Sequence, residues 1–319
     1  MMAALLGDVS AGGGHAPRRL LINDEGNSAL HHLDLLEPRN NWSHAGAGRD
    51  LQLVGGGVVL RSQPAGYVEL ELATGAVVRE VVVPGAPGGI ESARRLPDGA
   101  TVVAGNAPGG AFLWELDPSG RPRVDRMRSF AGIEKVRLLR RDADGAFLFC
   151  SQSAGANIIH RASWEGGIST LFVVSPDVPA DSMVKAVRVA PNVVVVSTGY
   201  AASLLRIDVS SGRVVQTIGG TAQPEIPGTA RPLSPFFFSG FQTFADGHHL
   251  VCNWQGHSAA KNGQGYQLIR YDAAGQPVWI FDQAAYPALS SLNNVIALDG
   301  LDTSRLHDEP NGILRAQGA

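Results

Sequence analysis

Charge is scarce in this chain: Asp, Glu, Lys and Arg make up 17 % of 319 residues, and the net charge is −3. Lys and Arg are scattered rather than striped, so the electrostatic footprint that nucleic acid or an anionic membrane surface requires is missing. Long hydrophobic runs are missing too. The longest are strand-sized, such as Val193-Val194-Val195-Val196, far short of the roughly 20 residues a membrane helix needs. A soluble protein with no nucleic-acid partner and no membrane insertion is expected. The two cysteines, Cys150 and Cys252, do not fix a redox compartment. Residues 1–16 hold the apolar stretch Met2-Ala3-Ala4-Leu5-Leu6 but no basic leader and an early Asp8. A secretory signal is therefore poorly supported, and localisation stays open between cytoplasm and periplasm. Also missing are a Gly-x-Ser-x-Gly elbow, a phosphate-binding loop, a dinucleotide fingerprint and a Cys-x-x-Cys pair, which removes the strongest catalytic signatures.

Turn punctuation, by contrast, is abundant. The chain has 39 Gly and 19 Pro beside 44 % hydrophobic residues, a balance that favours many short strands. Self-similarity appears at the period of roughly 40–50 residues that marks a propeller. Inner turns recur at Val54-Gly55-Gly56-Gly57, Leu96-Pro97-Asp98-Gly99, Asp142-Ala143-Asp144-Gly145, Ala190-Pro191-Asn192, Ala245-Asp246-Gly247 and Leu298-Asp299-Gly300, rich in residues that accept the positive φ of tight hairpins. Each of the first five leads into an apolar run. Outer turns recur at Thr74-Gly75, Ser119-Gly120, Gly166-Gly167, Ser211-Gly212 and Ala274-Gly275. The count of inner turns exceeds that of outer turns by one because the last blade is split between the chain ends. Arg19–Asn23 and Leu30–Leu35 read as strands b and c with no strand a before them, and Asn293–Leu298 reads as a strand a with no b after it. The expected fold is all-β: one six-bladed β-propeller closed by N-terminal strands b–d pairing with a C-terminal strand a, which leaves no free edge. The expected division is 1–17 as a flexible leader, 18–305 as the propeller and 306–319 as a tail. Cys150 and Cys252 fall at equivalent positions in non-adjacent blades, which excludes a disulfide between them.

The outer turns Glu71-Leu72-Ala73-Thr74-Gly75 and Asp272-Ala273-Ala274-Gly275-Gln276-Pro277-Val278-Trp279 resemble the repeat of quinoprotein-type and aryl-sulfotransferase-like propellers, across residues 50 to 284. The resemblance implies the fold alone. Its docking tryptophan occurs once, as Trp279, and no adjacent cysteine pair is present, so the resemblance implies no pyrroloquinoline quinone; the cofactor is unknown.

Propeller ligands sit where strand a begins and strand b ends. Those positions hold Arg49, Asp50, Glu91, Glu134, Lys185, Gln242 and Asn293 on one side and Gln63, Asn106, Gln152, Tyr200, Asn253 and Trp254 on the other. Both charge signs, recurring amides and two aromatics describe a pocket for a small polar ligand such as a sugar. Two long connections, Gly219 to Gly240 with Phe236-Phe237-Phe238 and Trp254 to Gln267 with His257 and Lys261-Asn262-Gly263, would wall that mouth. His248, His249, His257 and Cys252 cannot share one metal, because strand rise alone separates His249 from Asn253 by about 13 Å; adjacent His31 and His32 face opposite sides. No metal site is expected. His257 suits a general base or acid, with Glu91 and Glu134 as paired carboxylates. The leading reading is a ligand-binding propeller of carbohydrate-active type, a lyase or hydrolase. Against it stand a non-catalytic interaction scaffold, marked by an open apolar patch at Phe236 to Phe238, and a quinone-dependent dehydrogenase.

Overall fold

The structure, a computed structural model, describes residues 16–153, 155–177, 183–220, 232–257, 265–308 and 310–318. Residues 1–15 of the expected leader, Pro224 and Pro227, and Lys261-Asn262-Gly263 lie outside the described residues.

Six four-stranded antiparallel sheets form the blades of a propeller. Blade one contains Arg19–Asp24, Ala29–Asp34 and Trp42–Ala45 from the N-terminal end, with Leu292–Ala297 as its innermost strand. The innermost strands of blades two to six are Leu51–Gly55, Gly89–Arg95, Arg140–Arg141, Ala186–Ala190 and Phe237–Thr243. Closure thus follows the split expected from the turn count: Leu20 pairs with Ala297, Leu21 with Ile296 and Ile22 with Val295. No covalent turn joins these two strands. Asp299 takes its place, its carboxylate accepting the Arg18 and Arg19 amides at 2.6 and 3.1 Å.

The alternation of each strand has a simple cause: every blade is sandwiched between two others. Phe147 and Phe149 pack toward blade three, whereas Leu148 and Cys150 on the same strand pack toward blade five. One apolar cluster fills each of the six interfaces between blades. Second and third strands are therefore buried along most of their length, as in Ala29–Asp34 and Gly66–Glu71, and outermost strands such as Val77–Val82 are mostly exposed. Both cysteines are free and buried, and burial pushes both thiols up, out of the range of thiolate chemistry.

The innermost strands have one edge with no strand to pair. Side chains from neighbouring blades supply the missing partners. Gln52 receives the Arg95 amide at 2.6 Å and donates to its carbonyl at 3.1 Å. Gln242 does the same for Ala297 across the blade six to blade one joint. Ser92 Oγ accepts the Leu139 amide at 3.0 Å, Asn294 donates to the Arg49 carbonyl at 2.9 Å, and Lys185 donates to the Phe241 carbonyl.

Residues 301–308 and 310–318 lie across the opposite end of the channel. Leu306 bridges Val54, Ile313 bridges Thr243, and the His307 carbonyl accepts from Gln52 at 3.1 Å and Arg94 at 3.3 Å. Gly312 is obligatory here: its φ is +70°, and a Cβ would lie 1.7 Å from Val187 Cγ1. Within the expected C-terminal tail from 306, Leu306, His307, Gly312 and Ile313 contact blades two, three, five and six.

The fold predicts an acid sensitivity. His249 is fully buried and held to Thr243 at 3.1 Å; burial, then the charges of Arg206 and His248, lower its pKa to about 4. Unfolded histidine titrates near 6.5. Stability from this group is complete above about pH 6.5 and falls by up to about 3 kcal/mol as pH drops toward 4. His32, His44 and His160 are shifted the same way, first by burial. Urea unfolding at pH 7.5 and 5.0 should show a loss on acidification, and His249→Gln should remove about one proton's share of the slope.

Candidate functional site

The mouth on the side where innermost strands begin holds a cavity of about 120 Å³. The structure brings five of the expected site residues to its wall: Arg49, Tyr200, Trp254, His257 and Asn293. Arg49 lies just ahead of the innermost strand of blade two, and Asn293 within that of blade one. Tyr200 and His257 belong to the connections between second and third strands of blades five and six, and Trp254 ends the second strand of blade six. Glu25, at the equivalent connection of blade one, and Arg137, at the approach to blade four, complete the charged part of the wall.

One polar chain crosses the mouth. Arg49 contacts Glu25 Oε1 at 2.7 Å and Glu91 Oε2 at 3.1 Å. Burial alone would lower the guanidinium, but Glu91 and Glu25 outweigh it and hold its pKa above the ordinary value. The remaining Glu91 oxygen receives Asn106 Nδ2 at 3.4 Å. His257 Nδ1 lies 4.0 Å from Glu25 Oε2, an electrostatic contact longer than a hydrogen bond. The chain His257–Glu25–Arg49–Glu91–Asn106 thus spans blades six, one, two and three.

The facing wall is aromatic. Tyr200 meets Phe237 edge to face at 4.7 Å, Phe237 meets Trp254 at 5.1 Å, and Trp254 meets His257 at 4.7 Å. Phe236 joins the cluster against Tyr200 and Trp254. Such contacts fix ring orientation. Tyr200 keeps 43 % of its surface exposed, and the buried Trp254 Nε1 has no hydrogen-bond partner among the described residues. Phe236 and Phe237 are half-buried and Phe238 is fully buried.

Several expected site residues lie elsewhere, for identifiable reasons. Asp50 is fully buried one tier lower, gripped by Arg140 at 3.0 and 3.1 Å and by Ser92. Lys185 shares that lower tier, and Gln242 is consumed by its bonds to Ala297. Asn253 is spent on a loop: it accepts the Phe236 amide at 2.8 Å and donates to the carbonyls of Tyr266 and Ser234. Asn106 clasps Val136 N and O across the blade three to blade four joint. Glu134 and Gln152 pair through their backbones, and Gln63 sits opposite Gly66 in a hairpin; none of the three is among the cavity's lining residues.

Glu134 and Glu91 were expected to be a pair because strand a of blade four was placed directly after Lys135. The strand is only Arg140–Arg141; Lys135 is in the left-handed region at φ 53°, and Leu138 bridges to Lys185 of the next blade. Arg137 consequently takes the place assigned to Glu134. A signal for it existed: eight residues before the turn glycines Gly99, Gly145 and Gly247 stand Glu91, Arg137 and Ser239, of which the latter two line the cavity. Glu25 lies two residues beyond the expected end of the blade one strand and had no such marker.

Among the described residues, no group of three or more His, Cys, Asp or Glu gathers as metal ligands would, and no helix is long and apolar enough to cross a membrane. No protein-family model and no curated protein sequence matches the chain. Solved structures do resemble it. A protein of unknown function from Bacteroides caccae is 19 % identical with a TM-score of 0.65, over 88 % of this chain and 98 % of that one. A chain of a nidogen/laminin complex is 12 % identical with a TM-score of 0.61, over 90 % and 99 %. The calcium-binding protein regucalcin from Agrobacterium tumefaciens is 14 % identical with a TM-score of 0.52, over 71 % and 75 %. At these identities the likeness establishes the propeller fold and not a quinoprotein or sulfotransferase type.

Removing the cation at the centre of the polar chain strands two carboxylates. Arg49→Met should cost about 1–3 kcal/mol in urea unfolding. Adding Glu25→Gln to that variant should recover part of the loss, and an additive double mutant would show that the two groups do not interact.

Proposed function

We propose that the upper cavity binds a small polyhydroxylated ligand of monosaccharide size. The observation that carries this reading is the opposition of two walls across about 120 Å³: charged and amide groups at His257, Glu25, Asn293, Arg49 and Arg137, and aromatic rings at Tyr200, Phe237 and Trp254. Hydroxyl groups suit the first wall, because carboxylates accept and guanidinium and amide groups donate. The apolar face of a sugar ring suits the second. A strongly charged ligand fits less well, since Glu25, Arg49, Glu91 and Arg137 together balance to zero.

The same wall suggests how chemistry would proceed on such a ligand. Glu25, 4.0 Å from His257 Nδ1, favours the tautomer protonated there, which leaves the Nε2 lone pair to accept a proton from the ligand. Glu25 and Glu91 both engage Arg49, so neither is set up as the proton-donating carboxylic acid that two-carboxylate glycoside hydrolysis requires. Base-initiated elimination, a lyase reaction in which His257 takes the C–H proton beside a sugar's carbonyl or carboxylate, the β C–O bond breaks, and the departing oxygen takes that proton back from the imidazolium as an alcohol, therefore accords with the site better than hydrolysis.

Calorimetric titration with glucose, galactose, mannose and glucuronic acid tests the binding. At least one should bind, and Tyr200→Ala should weaken it about tenfold or more through loss of the exposed ring. His257→Ala should retain most of the affinity while losing any product formation from that sugar. If none of the four raises a heat of binding or a thermal shift, the sugar reading fails.

A further inference from the structure

Beneath the upper cavity the channel narrows to a second hollow of about 40 Å³. Its walls continue the upper ones one or two residues further along each strand, with Arg140 following Leu138, Lys185 following Val184 and Asn294 following Asn293. His307 and Gly312 of the C-terminal segment close it from below.

Three cations border this hollow: Arg94, Arg140 and Lys185. Asp50 answers Arg140 with both oxygens, at 3.0 and 3.1 Å, and lies 3.8 Å from Arg94; its oxygens are also taken by Ser92 Oγ and the Leu51 amide. The other carboxylate, Asp308, is engaged by Arg141 at 3.0 Å. Setting aside this pair, whose guanidinium is 31 % exposed, three cations stand against Asp50 alone, an excess of two positive charges when Lys185 is protonated. Burial, then Arg140 and Arg94, push the Lys185 ammonium well down from its ordinary value, and burial holds Arg140 at about 10 despite Asp50.

Donors at this hollow are also unspent. Arg94 donates through Nη1 to the Leu51 carbonyl at 2.9 Å and through Nη2 to the His307 carbonyl at 3.3 Å. Its Nε, in a side chain more than nine-tenths buried, has no partner among the described residues. Lys185 gives one N–H to the Phe241 carbonyl, and the other two have no hydrogen-bond partner among the described residues. Uncompensated charge and unmet donors in one enclosed place are both costly, and one occupant answers both.

We propose that the inner hollow is a binding site for one small monovalent anion of halide size, held chiefly by Lys185 and Arg94. The space suffices for such an ion with about one water. The ion would neutralise part of the excess charge and keep Lys185 protonated, so it acts as a structural keystone of the channel. The site is separate from the proposed sugar cavity and stands whether or not a sugar binds there.

Bromide is the probe. Thermal unfolding at pH 7.5 is followed in chloride-free buffer, with sodium bromide replacing sodium isethionate at constant ionic strength. The expected result is a saturable rise in Tm of about 3–6 °C, with one anomalous peak in bromide-grown crystals within about 3.5 Å of Lys185 Nζ. Lys185→Met should abolish the rise; should that variant fail to fold, the anomalous map of the unaltered protein decides alone. An absent or non-saturating rise with no anomalous peak in the hollow overturns the proposal, as does a hollow filled by water alone.

Discussion

Every blade of a propeller begins with a strand that has a partner on one side only. Its outward-facing backbone groups look into the central channel, where burial makes an unmet N–H or C=O costly. In this protein the requirement is met by side chains reaching from one blade to the next: Asn294 to Arg49, Gln52 to Arg95, Ser92 to Leu139, Lys185 to Phe241 and Gln242 to Ala297. Blades four and five are joined by backbone, through Leu138 and Lys185. Together these links form a closed ring of polar bonds inside the apolar layers. Packing between blades is non-directional and would tolerate small rotations; the polar ring sets the angle of each blade and hence the shape of the channel.

That ring explains why the channel is tiered. Donors left over once these bonds are made, such as Arg94 Nε, lie in the middle tier, while Arg49, Arg137 and Asn293 line the cavity at the mouth. The C-terminal segment then seals the far end, its His307 carbonyl entering the same network through Gln52 and Arg94. At the other end, the mouth, an ion-paired wall meets an aromatic one.

Closure follows the same logic. Asp24 accepts the amides of Ser290 and Ser291 at 2.6 and 2.8 Å, and Asp299 accepts those of Arg18 and Arg19. Two carboxylates thus cap both ends of the seam between the chain's termini. Hydrogen bonds from backbone N–H to an ionised acceptor are stronger than neutral ones, and this is the joint with no covalent turn to hold it.

The sequence by itself determined the class of fold, the number of blades and the seam. These rest on local physics: turn residues that accept positive φ, such as Gly55, Gly56 and Gly57, and strands whose two apolar faces are dictated by burial between blades. It also located the mouth, because strand ends are set by those same turns, and so Arg49, Tyr200, Trp254, His257 and Asn293 were legible. Only the tertiary structure decided which polar residues are left over for a ligand. Asp50, Asn106, Gln242 and Asn253 are chemically as suitable as the five that line the cavity, but each is engaged by a partner from another blade or loop, and Lys185 lies on the lower hollow. Those claims depend on the angle between blades and on the two-residue inner strand of blade four, which brings Arg137 rather than Glu134 to the mouth. Neither is encoded in any single repeat, because both arise only when six blades close on one axis.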